Sequence, residues 1–262
     1  KAAPLVTVTD SQNVKLRDFY AFPPSFTGGL SIATGDTDGD GYDEIIAAPA
    51  SAKESEVKVF DRYGNFKSHF LAYPAAFRGG LTLSAYDVNG DGKAEIITAP
   101  KAGIRSDIKI FSAQGKLLKS FLAYPENFRG GATAAAGDVM GDGAPEIVTG
   151  TGSGGVPQVK IFSTDGAKLG DFIADKSRTP SGLNILLFDI DGNARRLQSE
   201  IIVTRQSGPA RLGVFDFRGN LRSSWQPYDA KFRGGVKAVA TDLDADGLKE
   251  ILTAPLSGGG PH

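Results

Sequence analysis

An Asp-rich pattern returns five times along the 262 residues, and its interval constrains the fold more than any other feature of the chain. DTDGDGYDEII begins at Asp36, DVNGDGKAEII at Asp87, DVMGDGAPEIV at Asp138, DIDGNARRLQSEII at Asp189 and DLDADGLKEIL at Asp242. Their first aspartates lie 51, 51, 51 and 53 residues apart. Other landmarks keep the same step. Phe-x-Gly-Gly stands at Phe26, Phe77, Phe128 and Phe232, and is degraded to Thr179-Pro-Ser-Gly in the fourth copy. A short alternating run ending in Phe60, Phe111, Phe162 or Phe215 follows each of the first four acidic stretches. Several copies at one period of this size indicate stacked supersecondary units, each burying its apolar face against the next.

Each unit reads as four short strands. In the second copy the spacing predicts strands over Leu81–Tyr86, Glu95–Thr98, Ile108–Phe111 and Leu117–Phe121. The third alternates apolar and polar residues with period two, and Ser112–Lys116 has the length and the Gly of a hairpin turn. No segment carries a helical stripe. The expected fold class is all-β, a β-propeller of four-stranded antiparallel blades, rather than a helical or leucine-rich array.

The ends decide the expected number of blades. Residues 6–26 align without a gap on residues 108–128, so the N-terminus supplies a third and a fourth strand. Val236–Thr253 supplies a first and a second. The expectation is one domain over residues 1–262, a five-bladed ring in which residues 1–22 complete the blade begun by 232–262. Val6–Thr9 would then pair with Glu250–Thr253, and closure would leave no exposed sheet edge. A fragment of a larger propeller is the rival.

Composition excludes several classes. A formal net charge of -1 gives no electrostatic case for nucleic acid or an anionic membrane. The absence of cysteine removes disulfides and thiol chemistry. No apolar run approaches the ~20 residues that span a bilayer, so no membrane insertion is expected. The chain begins at Lys1 rather than Met, which reads as a processed or excised segment.

The acidic loops followed by IIAAPAS and IITAPKAG, with Phe-x-Gly-Gly upstream, resemble the FG-GAP repeat and the related bacterial VCBS-type repeats, a family that includes the propeller of integrin α subunits. The resemblance covers practically the whole chain and implies a calcium loop between the first and second strands of each blade. It also implies an extracellular or cell-surface location. The family is functionally broad, spanning adhesion propellers, lectins and ancillary domains of enzymes, and fold analogy does not choose among ligands.

The residues of the loops agree with a hard cation. Crowded carboxylates repel unless a cation lies among them, and Ca2+ accepts several oxygen ligands in irregular geometry. The first loop offers Asp36, Asp38, Asp40, the Tyr42 carbonyl and Glu44; the second offers Asp87, Asn89, Asp91, the Lys93 carbonyl and Glu95. The fifth offers Asp242, Asp244, Asp246, the Leu248 carbonyl and Glu250. The third keeps Asp138, Asp142, the Ala144 carbonyl and Glu146, but Met140 replaces a donor. The fourth has Asp189, Asp191 and Asn193, with Ala194 in place of Gly and its acid, Glu200, displaced. Graded occupancy is expected, with loops one, two and five ahead of three and four. Polar turns with no metal are the simpler alternative.

A glycan or protein partner is expected on the face opposite these loops, where YPxxFRGG segments place Arg78, Arg129 and Arg233 beside aromatic rings. The competing role for those residues is blade spacing. Trp225, in the register of Phe19, Phe70, Phe121 and Phe172, is expected in the core. His69 and His262 have no evident catalytic partner, and the inner strands carry no pair of carboxylates such as a propeller glycosidase needs. A monomeric, non-catalytic, lectin-like or adhesion module follows. The alternatives are an ancillary or catalytic domain of a secreted carbohydrate-active hydrolase or lyase, and a structural spacer in a larger surface protein.

Overall fold

A computed structural model describes residues 3–10, 12, 14–175, 180–190, 198–241 and 249–258. Its regular structure among these residues is entirely β, in six antiparallel sheets. The acidic motifs fall where each innermost strand turns back into the second, which explains the 51-residue step. The first complete sheet is β3 (Leu30–Gly35), β4 (Glu44–Pro49), β5 (Glu56–Phe60) and β6 (Phe66–Leu71). The second is β7 (Leu81–Tyr86), β8 (Glu95–Pro100), β9 (Asp107–Phe111) and β10 (Leu117–Leu122). The third and fourth repeat the plan with β11 (Ala132–Gly137), β12 (Glu146–Thr151), β13 (Gln158–Ser163), β14 (Lys168–Ile173), and β15 (Leu183–Phe188), β16 (Glu200–Arg205), β17 (Leu212–Phe215), β18 (Leu221–Trp225). The strands expected for the second copy are recovered to within two residues.

Burial follows strand position. β8 is buried along its whole length because both its faces meet neighbouring sheets, whereas the outer β10 leaves four of its six residues exposed. Adjacent sheets are joined by aromatic pairs: Phe70 meets Phe111 at 4.7 Å between ring centroids, Phe121 meets Phe162 at 4.9 Å, and Phe172 meets Phe215 at 5.1 Å. Each such pair contributes roughly 0.5–1.5 kcal/mol beyond the area it buries. The Phe-x-Gly-Gly glycines mark close approach. A Cβ on Gly80, whose φ is +81°, would lie 1.9 Å from the Ala50 carbonyl oxygen of the preceding sheet. One on Gly79 would meet the Ala102 carbonyl oxygen at 2.1 Å. Backbone fills the space that a side chain would need.

The ends differ from expectation in one respect. β1 (Leu5–Thr9) pairs with β2 (Lys15–Tyr20), and β19 (Val236–Thr241) with β20 (Glu250–Pro255), but these remain separate two-stranded sheets. Val6–Thr9 does not pair with Glu250–Thr253, so the ring is not closed by hydrogen bonds. Each half packs against a complete sheet. Val6, Ala21 and Phe22 share a core with Ile45, Ala47 and Phe60 of the first sheet, and Phe19 stacks on Phe60 at 4.9 Å. At the other end Ala238 and Ile251 join the core of Ile202, Leu212 and Val214. Trp225 shows the cost of the missing ladder. It is 38% exposed rather than buried, because the third strand that covers its Phe counterparts is absent from the following sheet.

Candidate metal centre

Register fixes which end of the molecule carries which loops. In the second sheet Tyr86 lies opposite Glu95 and Leu81 opposite Pro100. The acidic loop therefore sits at one end, and the Phe-x-Gly-Gly segment before the first strand and the connection leaving the second strand sit at the other. Loop one is wound around its first carboxylate. Asp36 accepts the backbone N–H groups of Gly39 (2.7 Å) and Asp40 (3.2 Å) on Oδ1, and of Gly41 (2.8 Å) on Oδ2. The Gly41 N–H leads in holding the Asp36 carboxyl below the ordinary carboxylate range. Asp87 receives the same N–H groups from Gly90 and Gly92, and Asp138 from Gly141 and Gly143. Gly39 and Gly41 have φ of +80° and +87°, the left-handed region that makes this winding inexpensive only for glycine.

The winding gathers the next carboxylates. One oxygen each from Asp36, Asp38 and Asp40 lies within 4.8 Å of the others. Oxygens bound to one Ca2+ at ~2.4 Å are at most about 5 Å apart, so this donor set fits such an ion. Among the described residues no second group of three acidic side chains meets that distance. Loop two has Asn89 as its middle donor. Its Oδ1 accepts the Asp91 N–H at 2.8 Å and its Nδ2 donates to Glu95 Oε1 at 2.8 Å. Loop three is short of a donor because Met140 packs against the core that includes Val139 and Val148.

The acids that close these loops fasten them from within. Glu44, Glu95 and Glu146 are buried, and the Oε2 of each accepts an N–H from the start of its own loop: Thr37 at 2.9 Å, Val88 at 3.0 Å and Val139 at 3.0 Å. Burial pushes the Glu95 and Glu146 carboxyls above the ordinary range, with loop aspartates adding to the effect. Glu200 makes the same contact with Ile190 at 3.0 Å despite its displaced spacing. The longer fourth loop therefore keeps its fastening. Asp191, Asn193, Asp242, Asp244, Asp246 and Leu248 lie outside the described residues, as do Ala194, Thr179 and His262.

Lys67 is a participant that loop spacing does not reveal. Its ammonium donates to Asp38 and, at 3.0 Å, to Glu44 Oε1. Asp38 leads in raising the lysine above its usual range. The corresponding positions of the next two copies are Leu118 and Leu169, so loop one alone among the first three receives this built-in cation.

On the opposite face most recurrent aromatics and arginines are structural. Tyr73 donates to the carbonyl oxygens of Thr98 (3.1 Å) and Asp107 (2.6 Å) in the next sheet, and Tyr124 and Tyr228 reach Gln158 and Thr253 in the same way. Lys109 covers the Tyr73 ring at 4.6 Å. Arg78, Arg129 and Arg233 each donate to carbonyl groups one and three residues earlier, bracing their own turns.

Residues 36–98 match the family described as FG-GAP-like repeat. The match covers one part of the chain, and the fold as a whole is of the β-propeller kind. No curated protein matches it. Among solved structures it is similar to the rhamnogalacturonan lyase YesW, with a TM-score of 0.50 and 16% identity over 97% of this chain and 58% of that one. It is also similar to Chaetomium thermophilum Raptor, with a TM-score of 0.55 and 17% identity over 87% of this chain and 19% of that one. The V. cholerae biofilm matrix protein Bap1 follows at 0.47 and 22%, covering 75% and 28% of the two chains. The chain thus spans less than two thirds of the length of these proteins, and the likeness concerns fold alone.

Proposed function

We propose that the chain is a calcium-stabilised, non-catalytic binding module, extracellular or at a cell surface, that presents the face opposite its acidic loops to a glycan or protein. The observation that carries this reading is the convergence of Asp36, Asp38 and Asp40 in a loop whose plan recurs in the other copies. Lys67 pairs with Asp38 alone among these three carboxylates, so the cluster keeps a net negative charge that a further cation would offset, and millimolar calcium outside cells suits it. In this reading the ion would be held by those three carboxylates with the Tyr42 carbonyl and would neutralise the loop. The protein itself supplies the winding around Asp36 and the fastening through Glu44. A site whose Kd is one hundredth of ambient calcium stabilises the fold by ~2.7 kcal/mol.

The non-catalytic half of the proposal rests on the composition of the innermost strands, in which LSIATG, LTLSAY and ATAAAG are built of apolar, hydroxyl and glycine residues. A cavity of about 1030 Å3 is lined by β3, β7, β11, β15 and β19, and Asp189 is the single acidic residue lining it among those described. Glycan arrays with and without chelator test the reading. Binding that needs folded, calcium-loaded protein is expected, whereas hydrolysis of a polysaccharide that is abolished by a substitution in this chain, with folding intact, would reject it.

Five blades complete the proposal, with β1–β2 and β19–β20 as halves of one. Each half packs on the core of an adjacent complete sheet, and Thr9 occupies the register of Phe111 in the second copy, which would leave room for the larger Trp225. Trp225 is the chain's single tryptophan, so its fluorescence reports closure. In a closed ring acrylamide quenches it poorly until residues 3–22 are deleted. Free quenching in the intact chain would refute closure.

A further inference from the structure

The repeat gives a background against which unrepeated charges stand out. At the cavity mouth away from the acidic loops, the second residue of each innermost strand is Ser31, Thr82, Thr133, Asn184 and Lys237 in turn. The residue after each second strand is Ala50, Lys101, Gly152, Gln206 and Leu256. Blade spacing is satisfied by small or neutral side chains at eight of these ten positions, so it does not account for the two lysines. Both line the same cavity, although 136 residues separate them in the chain.

Their electrostatic setting differs from that of the ion-paired lysines. Neither makes an ion pair with a carboxylate among the described residues, whereas Lys53, Lys67, Lys119 and Lys168 each do. Water reaches Lys101 through the open mouth, but surrounding protein and then the charge of Lys237 push its ammonium below the usual lysine range. Two like charges held at one mouth are unfavourable alone and are relieved by an anion between them. Asp189, the acidic lining residue, follows β15 at the acidic-loop end and does not neutralise them.

We infer that the channel mouth is an anion-selective subsite in which Lys101 and Lys237 receive an acidic group of an oligosaccharide. This rests on the binding-module reading above and specifies its ligand. A sugar is favoured over a protein surface because the lysines lie within a concave ring, not on a flat apolar patch, and because the neutral members of the ring are mainly hydroxyl and amide residues. Thr82, Thr133, Asn184 and Gln206 are already held by the backbone carbonyls of neighbouring strands, so their positions are set before a ligand arrives. The apolar walls below, such as Ala33, Ala85 and Ala134, leave depth for a sugar ring.

Calorimetric titration with an oligouronate, a neutral oligosaccharide of equal length, inorganic sulfate and oligoglutamate tests the inference. The proteins are wild type, Lys101→Met, Lys237→Met, the double variant, and Lys116→Met as a remote control, with thermal melts confirming folding. The oligouronate should bind best and lose at least about tenfold in affinity in the double variant, as expected for loss of charge-assisted contacts. Lys116→Met should leave binding unchanged. Equal binding of neutral and acidic sugars, unaltered in the double variant, would overturn the anion subsite while leaving glycan binding intact. Lysine-dependent binding of sulfate with no sugar bound would support the anion site and refute the glycan reading. Preference for oligoglutamate would overturn the assignment to a sugar, and no lysine-dependent anion binding at all would overturn the inference.

Discussion

Asp40→Ala isolates the calcium clamp. Asp40 supplies one of the three carboxylates that lie within 4.8 Å in loop one. Its remaining side-chain contact is the Tyr42 N–H at 2.9 Å, in an exposed turn. The metal-free variant should therefore lie within ~0.5 kcal/mol of wild type, the usual range for a surface change. The calcium-dependent difference should be much larger. At a calcium concentration of one hundred times Kd, loop one adds ~2.7 kcal/mol; a hundredfold weaker site retains ~0.4, so the variant forgoes ~2.3 kcal/mol. At about 2–4 °C per kcal/mol for a chain of this size, that is a calcium-induced rise in Tm smaller by about 5–9 °C. Thermal melts in chelator and in stepped calcium, followed by circular dichroism, give both limbs. Loss of one donor from the already depleted loops, by Asp142→Ala or Asn193→Ala, should cost less. A wild-type Tm that ignores calcium would sink the clamp, and equal losses in all three variants would sink the ranking of the loops.

The remaining expectations concern the elements around that clamp. Lys67→Met removes the ammonium that competes for Asp38 and Glu44, so the Asp40-dependent calcium affinity should rise while metal-free stability falls; an unchanged or weaker calorimetric affinity would show that Lys67 does not compete. Tyr73→Phe removes the hydroxyl whose single proton is shared between two carbonyl oxygens of the next sheet and should cost ~1–3 kcal/mol in urea denaturation. Tyr228→Phe, with a single such carbonyl contact at a half-buried site, should cost less, and the reverse order would contradict the stapling role. Gly80→Ala places a Cβ 1.9 Å from a backbone oxygen and should prevent cooperative folding, whereas Gly92→Ala, with nothing within 4 Å, should cost only the ~1–2 kcal/mol of a left-handed alanine. Similar soluble yields and melts for those two variants would refute the close-approach account.

The period, the strand order within each sheet and the positions of the acidic loops were legible in the residues because all of them are local. Alternation with period two, Gly at turns and carboxylates at alternate loop positions act over a few residues, and they recur often enough to be read against one another. The sequence marked Glu95 and Glu146 only as metal donors; that each accepts an N–H from the start of its own loop came from the structure. Tertiary structure decided whatever joins one copy to another. Lys67 reaches Asp38 across 29 residues, Met140 is drawn into a core shared with the next sheet, and Lys101 and Lys237 meet at one mouth from distant copies. The arginines of Phe-Arg-Gly-Gly turn back onto their own carbonyls rather than outward. The ladder between β1 and β20 is the extreme case. Its two strands match the repeat, yet whether strands from opposite ends of the chain meet depends on how the intervening sheets place them, which no local pattern carries.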